Sequence, residues 1–130
     1  MFKRTALLGL ASASLLFLAS AAHALTVKPF TDADFAAAQT AGKPVAVLFS
    51  ASWCPTCKLQ EKALNTMAAD PALKDVTVLR ADYDKSKDMQ KQMKVKSQST
   101  FVVFKGKTEV ARNSGATAAP EIKTLLAKAL

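Results

Sequence analysis

The sequence predicts a single α/β domain, a central mixed sheet with helices on both faces. Three observations predict it. Continuous apolar runs, of the kind buried on both faces of a sheet, alternate with helical patterns along most of the chain. The last two β runs are separated only by Gly106-Lys107, a hairpin connection, so parallel pairing gives way to antiparallel pairing at the end. At 130 residues there is room for one core of ordinary size, and no repeat, low-complexity stretch or linker divides it.

The chain opens with a targeting signature. Met1-Phe2-Lys3-Arg4 is a short basic start, Thr5–Ala22 carries no charge and is rich in Leu and Ala, and Ala22-His23-Ala24 has the small-x-small pattern of a cleavage site. We expect a cleaved signal peptide over Met1–Ala24, a periplasmic, exported product, and a mature domain over residues 25–130. The competing reading, an uncleaved anchor, meets a stretch near the lower length limit for a spanning helix and diluted by Ala and Ser.

Leu25–Phe30 is a short extended lead-in. Thr31 is placed to cap a helix through Asp32, Asp34, Phe35 and Ala36–Ala38, and Gly42 to end it. Val45–Phe49 reads as a fully buried strand, Cys54–Met67 as a helix that stops before Asp70-Pro71, and Val76–Ala81 as a second central strand. Ser86–Val95 is helical, with Met89, Met93 and Val95 facing inward. Thr100–Phe104 and Thr108–Arg112 form the hairpin. Gly115 breaks the chain, and Pro120–Leu130 closes it as an amphipathic helix through Ile122, Leu125, Leu126 and Leu130.

Charge and residue counts exclude whole classes of chemistry. The full chain has eighteen Lys and Arg, ten Asp and Glu, two Cys and one His, a formal charge of +8. Loss of Met1–Ala24 leaves 106 residues with sixteen basic and ten acidic groups, a charge of +6, and removes the only His. Ser-His and Cys-His pairs, His-ligated zinc and His-ligated haem are thereby excluded from the mature chain. The surplus of Lys gathers at Lys85, Lys87, Lys91, Lys94 and Lys96. Phe35, Phe49, Phe101 and Phe104 follow the core pattern rather than a base-stacking platform, so no nucleic-acid partner is expected. The basic run reads as a solvated face, or as a docking surface for an acidic protein or an anionic membrane.

The chemistry concentrates in Trp53-Cys54-Pro55-Thr56-Cys57-Lys58. Two Cys separated by two residues stand where a buried strand turns into a helix. Unpaired N–H groups and the partial positive charge of a helix start favour a thiolate there. Cys54 is expected to be exposed and acidified, and Cys57, one turn later, to be more buried. Cys54 would attack a substrate disulfide and Cys57 would resolve the mixed disulfide. Pro55 suits the first helical turn. Haem attachment fails because Lys58 occupies the position of the required His. A structural staple gains little from so short a loop, and a metal site would need a second copy.

The order of elements, the Trp-Cys-x-x-Cys-Lys block and the Val95…Ser99-Thr100-Phe101 segment resemble the thioredoxin family over nearly the whole mature chain, Phe30–Leu130. The resemblance implies a thiol–disulfide oxidoreductase acting on protein disulfides, with Cys54 as nucleophile and Cys57 as resolving thiol. No cofactor is expected, and a monomer is expected because nothing in the sequence announces a dimer. It places Trp53, Pro55, Thr56, Gln98, Ser99, Thr100 and Gly115 around a substrate groove, and sets Asp84 at an acidic position after the central strand.

Two positions depart from the family pattern. Ser99 stands where thioredoxin-like proteins carry a cis-proline. A cis bond before a non-proline residue costs about 2.5–4 kcal/mol, so a trans Gln98–Ser99 bond and a reshaped loop are expected. Ser99 also restores an N–H and adds a hydroxyl able to hydrogen-bond the Cys54 thiolate. The family's proline discourages metal capture, so an iron–sulfur cluster shared by two copies is a competing reading, as is a binding module with no redox role. Leu48 stands where the family often buries an Asp that relays the proton of the resolving Cys. Arg80, its basic partner, then needs another carboxylate, and Asp82 on the same strand face is the expected one. Glu61, one turn from Cys57, is expected on a solvated face.

Cys-Pro-Thr-Cys lies between the dipeptides of strong oxidants and those of reductants in the family. With no His beside the thiols, reduction or exchange of disulfides in exported proteins is expected over net oxidation. A membrane-bound electron donor is the partner this implies.

Overall fold

The computed structural model describes residues 24–130. The signal peptide expected over Met1–Ala24 lies outside the described residues, Ala24 excepted. Five strands, β1 (Thr26–Pro29), β2 (Pro44–Ser50), β3 (Thr77–Asp82), β4 (Thr100–Lys105) and β5 (Thr108–Ser114), form one sheet in the order β1-β3-β2-β4-β5. β1, β3 and β2 run parallel, β4 runs antiparallel to β2, and β5 antiparallel to β4. Four helices, α1 (Asp32–Thr40), α2 (Pro55–Thr66), α3 (Lys87–Met93) and α4 (Ala119–Ala127), cover the two faces. This is the expected mixed α/β architecture.

Strand alternation sorts the core into two layers. In β2, Ala46 and Leu48 point to one side and join Leu64, Met67, Ile122, Leu125 and Leu126 beneath α2 and α4. Val45, Val47 and Phe49 point to the other side, where Phe35, Ala38, Met89 and Met93 pack on them from α1 and α3. Both faces of β2 are therefore sealed, which is why its sequence reads as an unbroken apolar run. Side chains as fully buried as Leu48, Leu64 and Phe101 each contribute about 1.5–3 kcal/mol relative to exposure. On the α1–α3 side, Phe35 bridges Phe30 and Phe104, with ring centroids 5.6 and 5.3 Å away.

Caps and turns set the ends. Thr31 Oγ1 accepts from the Asp34 N–H at 3.1 Å at the start of α1. Gly42 and Gly106 both take positive φ, +68° and +58°. A Cβ on Gly106 would lie 3.2 Å from the Gly42 Cα, so the hairpin turn lies directly against the turn after α1.

Several boundaries differ from expectation for local reasons. α3 stops at Met93 because Lys94 adopts the left-handed region, φ +54°, and the Arg112 guanidinium donates to the Met93 and Lys94 carbonyls. β5 continues past Arg112 to Ser114 because its pairing with β4 persists to Thr100↔Ser114. A 3-10 turn at Pro71–Leu73, capped by Asp70, was not expected. Leu130, expected on the apolar face of the last helix, is exposed, because that helix ends at Ala127 and Ala129 fills the buried position instead.

Candidate active site

β2 delivers the chain to one edge of the core, and Ala51-Ser52-Trp53 turn it into α2. Cys54 is the N-cap of that helix: its Sγ accepts from the Cys57 N–H at 3.2 Å, and Pro55 follows at the first helical position. A cysteine thus does the work usually done by Ser or Asp. Both cysteines are free thiols. Cys57, three residues on, points back to the same side of the helix.

Cys54 was expected to be exposed, yet it is 2% accessible, against 1% for Cys57. Ala51, Cys54 and Cys57 form a small buried cluster with Tyr83 packed on it, and the Ser99 hydroxyl lies against both sulfurs. Burial pushes the Cys54 thiol up. The side chains of Cys57 and Ser99, together with the backbone N–H groups of Cys57 and Thr56, more than offset it and hold the thiol below its ordinary range.

Ser99 is the centre of the arrangement. Its hydroxyl oxygen lies 3.1 Å from Cys54 Sγ and 3.2 Å from Cys57 Sγ. No described peptide bond is cis, so Gln98–Ser99 is trans as expected, and the reshaping of the loop is visible in the Ser99 φ of +61°. Proline is confined near −65° and cannot adopt that backbone. The loop is tied on three sides. Ser99 N–H donates to the Phe49 carbonyl at 2.7 Å, the Ser99 carbonyl accepts from Gly115 N–H at 2.9 Å, and Gln60 Nε2 donates to that carbonyl at 3.0 Å. Phe49 belongs to β2, Gly115 follows β5, and Gln60 lies in α2, so three separate elements fix one serine.

The other residues expected around the groove gather here to different degrees. Trp53 is 56% accessible, and its indole N–H donates to Asp84 Oδ2 at 2.8 Å. Pro55 is exposed, and Thr56 and Gln98 are half-buried. Thr100 is buried and shares a hydroxyl contact of 2.7 Å with Ser114 instead of facing the groove.

Leu48 lies in the apolar layer, fully buried. Arg80 does not pair with Asp82. Its Nη1 reaches Glu61 Oε1 at 3.2 Å, and Asp82 instead accepts from the Asp84 N–H at 3.0 Å. Strand alternation turns Arg80, like Val78, to the face of the sheet that α2 covers, and Glu61 on α2 meets it there. Glu61 is accordingly half-buried, not on a solvated face. Glu61, Arg80 and Asp82 line an open cleft of about 450 Å³ together with Cys57, Ser50 and Ala51.

Sequence reasoning missed Gln60, whose side chain is fully buried and donates to both the Ser99 and the Ala116 carbonyls at 3.0 Å. Its signal was present: Cys57, Gln60, Leu64 and Met67 recur at helical spacing on the inward face, and Gln60 is the polar member of that stripe. The basic residues gather on α3 and at its ends as expected: Lys87 and Lys91 lie in the helix, and Lys85, Lys94 and Lys96 beside it. Lys87 Nζ sits 4.6 Å above the Tyr83 ring, and Lys85 lies 4.0 Å from Asp82.

Comparison with known proteins bears on this geometry. The Thioredoxin family model matches residues 26–128. A thioredoxin-like protein of Synechocystis is 34% identical over 108 residues, 82% of this chain and 97% of that protein. Rice thioredoxin H2-2 is 38% identical over 74 residues, 57% of this chain, and the match spans only about half (54%) of the rice protein. Among solved structures, Trxlp from Edwardsiella tarda superposes with a TM-score of 0.74 at 38% identity, covering 78% of this chain and 98% of that one.

Proposed function

The chain belongs to the thioredoxin family, a family of thiol–disulfide oxidoreductases, and on that premise we propose that it reduces or exchanges disulfides in exported proteins through a Cys54/Cys57 dithiol–disulfide cycle. One observation carries the reading. Cys54 caps a helix with its sulfur while Cys57 and a serine hydroxyl converge on it, so a thiolate nucleophile and a second thiol stand together.

In the forward direction the Cys54 thiolate attacks one sulfur of a protein disulfide and expels the other as a thiolate. Cys57 then attacks Cys54 Sγ, the Cys54–substrate bond breaks, and the substrate leaves with both sulfurs reduced. The groups around Cys54 support the reductive direction. Every hydrogen-bonding partner that lowers its thiol is neutral: a thiol, a hydroxyl and two peptide N–H groups. A strong oxidant needs a far more stabilised thiolate, usually with a cationic neighbour. The composition of Met1–Ala24 supports export, and an exported reductase draws electrons from a membrane-bound donor.

Reduction of insulin disulfides by the wild-type chain, abolished in Cys54→Ser, tests the activity. A glutathione titration followed by Trp53 fluorescence tests the direction. A potential near about −270 mV marks a reductant, and one near about −120 mV overturns the reductive assignment. Fractionation of cells expressing the full chain tests export, and recovery of uncleaved protein in the cytoplasm overturns it.

A further inference from the structure

The two sulfurs share one hydroxyl. Ser99 Oγ is 3.1 Å from Cys54 Sγ and 3.2 Å from Cys57 Sγ, Ser99 is 5% accessible, and its backbone is held by Phe49, Gly115 and Gln60. A hydroxyl has one proton to give and lone pairs to accept with. Placed between a thiolate and a thiol, it gives its proton toward the first and accepts the S–H of the second. Few residues other than glycine and asparagine hold φ near +60° without cost, so the chain maintains a strained backbone at the one residue whose hydroxyl spans the pair. Leu48 supplies no ionisable group, and of the two carboxylates that line the adjoining cleft with Cys57, Glu61 is engaged by Arg80 and Asp82 accepts from the Asp84 N–H. The hydroxyl is the polar side-chain group in hydrogen-bonding contact with both reacting atoms.

We propose that Ser99 is a catalytic residue that conducts the Cys57 proton to the thiolate leaving from Cys54. The inference rests on the thiol–disulfide reading above. In the resolving step Cys57 Sγ attacks Cys54 Sγ of the mixed disulfide. The Sγ–Sγ bond forms, the bond from Cys54 Sγ to the substrate sulfur breaks, and its electron pair stays on the substrate sulfur. At the same time the S–H proton of Cys57 passes to Ser99 Oγ, and the proton already on Ser99 Oγ passes to the substrate sulfur. The cysteine pair is oxidised, the substrate disulfide is reduced, and Ser99 ends as it began, a neutral hydroxyl.

This relay matters in proportion to the basicity of the leaving sulfur. Glutathione leaves better when protonated as it departs, whereas thionitrobenzoate leaves readily as a free thiolate. The test follows mixed disulfides at Cys54 formed from glutathione disulfide and from dithiobisnitrobenzoate, by acid quench and mass spectrometry. It compares the wild-type chain with Ser99→Gly, which removes the hydroxyl and relaxes the left-handed backbone. Ser99→Ala serves as a second deletion that keeps Cβ. The glutathione adduct is expected to persist about 100-fold longer in both variants, and the thionitrobenzoate adduct less than about 3-fold longer. Equal slowing of both adducts would mean that the loop only places Cys57, and would overturn the relay while leaving the proposed function intact. No slowing of either also overturns it. A wild-type chain that forms an adduct at Cys54 and never resolves it overturns the thiol–disulfide reading and the relay together.

Discussion

Gln60 Nε2 donates to the carbonyl oxygen of Ser99 at 3.0 Å, joining the buried interior of α2 to the loop that carries the hydroxyl between the two sulfurs. The same amide donates to the Ala116 carbonyl at 3.0 Å, so both of its protons are used, and two acceptors require the NH₂ end of the side chain to point this way. The segments after α3 and after β5 are thereby tied to one residue of α2.

Replacing Gln60 with Leu, of similar volume but without donors, is expected to destabilise the fold by about 1–3 kcal/mol, because buried carbonyls lose a partner. Urea unfolding of the reduced protein measures it. An unchanged midpoint would show that the tie contributes nothing to stability.

Ser99→Pro installs the residue typical of the family at this position and is nonetheless expected to destabilise the fold. Proline cannot reach φ +61°, and it removes the N–H that donates to Phe49 at 2.7 Å. A loss of at least about 2 kcal/mol follows, read as a lower melting temperature. A melting temperature equal to that of the wild type would mean that the loop rebuilds at no cost.

The lowered thiol of Cys54 links stability to pH. The folded dithiol state releases this proton at lower pH than the unfolded chain does. Stability therefore grows as pH rises through the folded value, is complete above the ordinary thiol value near 8.5, and is lost again as pH falls through the folded value. Denaturant melts of reduced wild type and Cys54→Ser are expected to separate further at pH ~10 than at pH ~6. The rate of Cys54 alkylation should reach half its maximum below the midpoint of a free cysteine. Coincident pH profiles for the two proteins would sink the linkage.

Leu48 and the Glu61–Arg80 pair occupy neighbouring positions with unequal energetic weight. Leu48→Ala opens a cavity in the layer between the sheet and α2 and α4, and is expected to cost about 2–5 kcal/mol. The side chains of Arg80 and Glu61 are 40% and 29% accessible, so Glu61→Gln is expected to change stability by less than about 1 kcal/mol. Chemical denaturation of both variants checks the contrast, and a larger loss for Glu61→Gln would reverse it.

Much of this molecule was legible from residue order. The unbroken run Val45–Phe49, the Thr31 cap, the Gly106 turn and the Cys54/Cys57 spacing each report a local requirement: burial on both faces, an unpaired N–H, a positive φ, one helical turn. Such requirements act over a few residues and leave their mark in the sequence itself. The tertiary structure alone decided that Cys54 is buried, that Arg80 turns to Glu61 and away from Asp82, and that Gln60 holds Ser99 between the sulfurs. Those relationships join α2 to β3 and to the loop before β4. They depend on how a helix crosses a strand and how a loop closes over it, and that geometry is set by the packing of the whole core, not by the neighbours of any one residue.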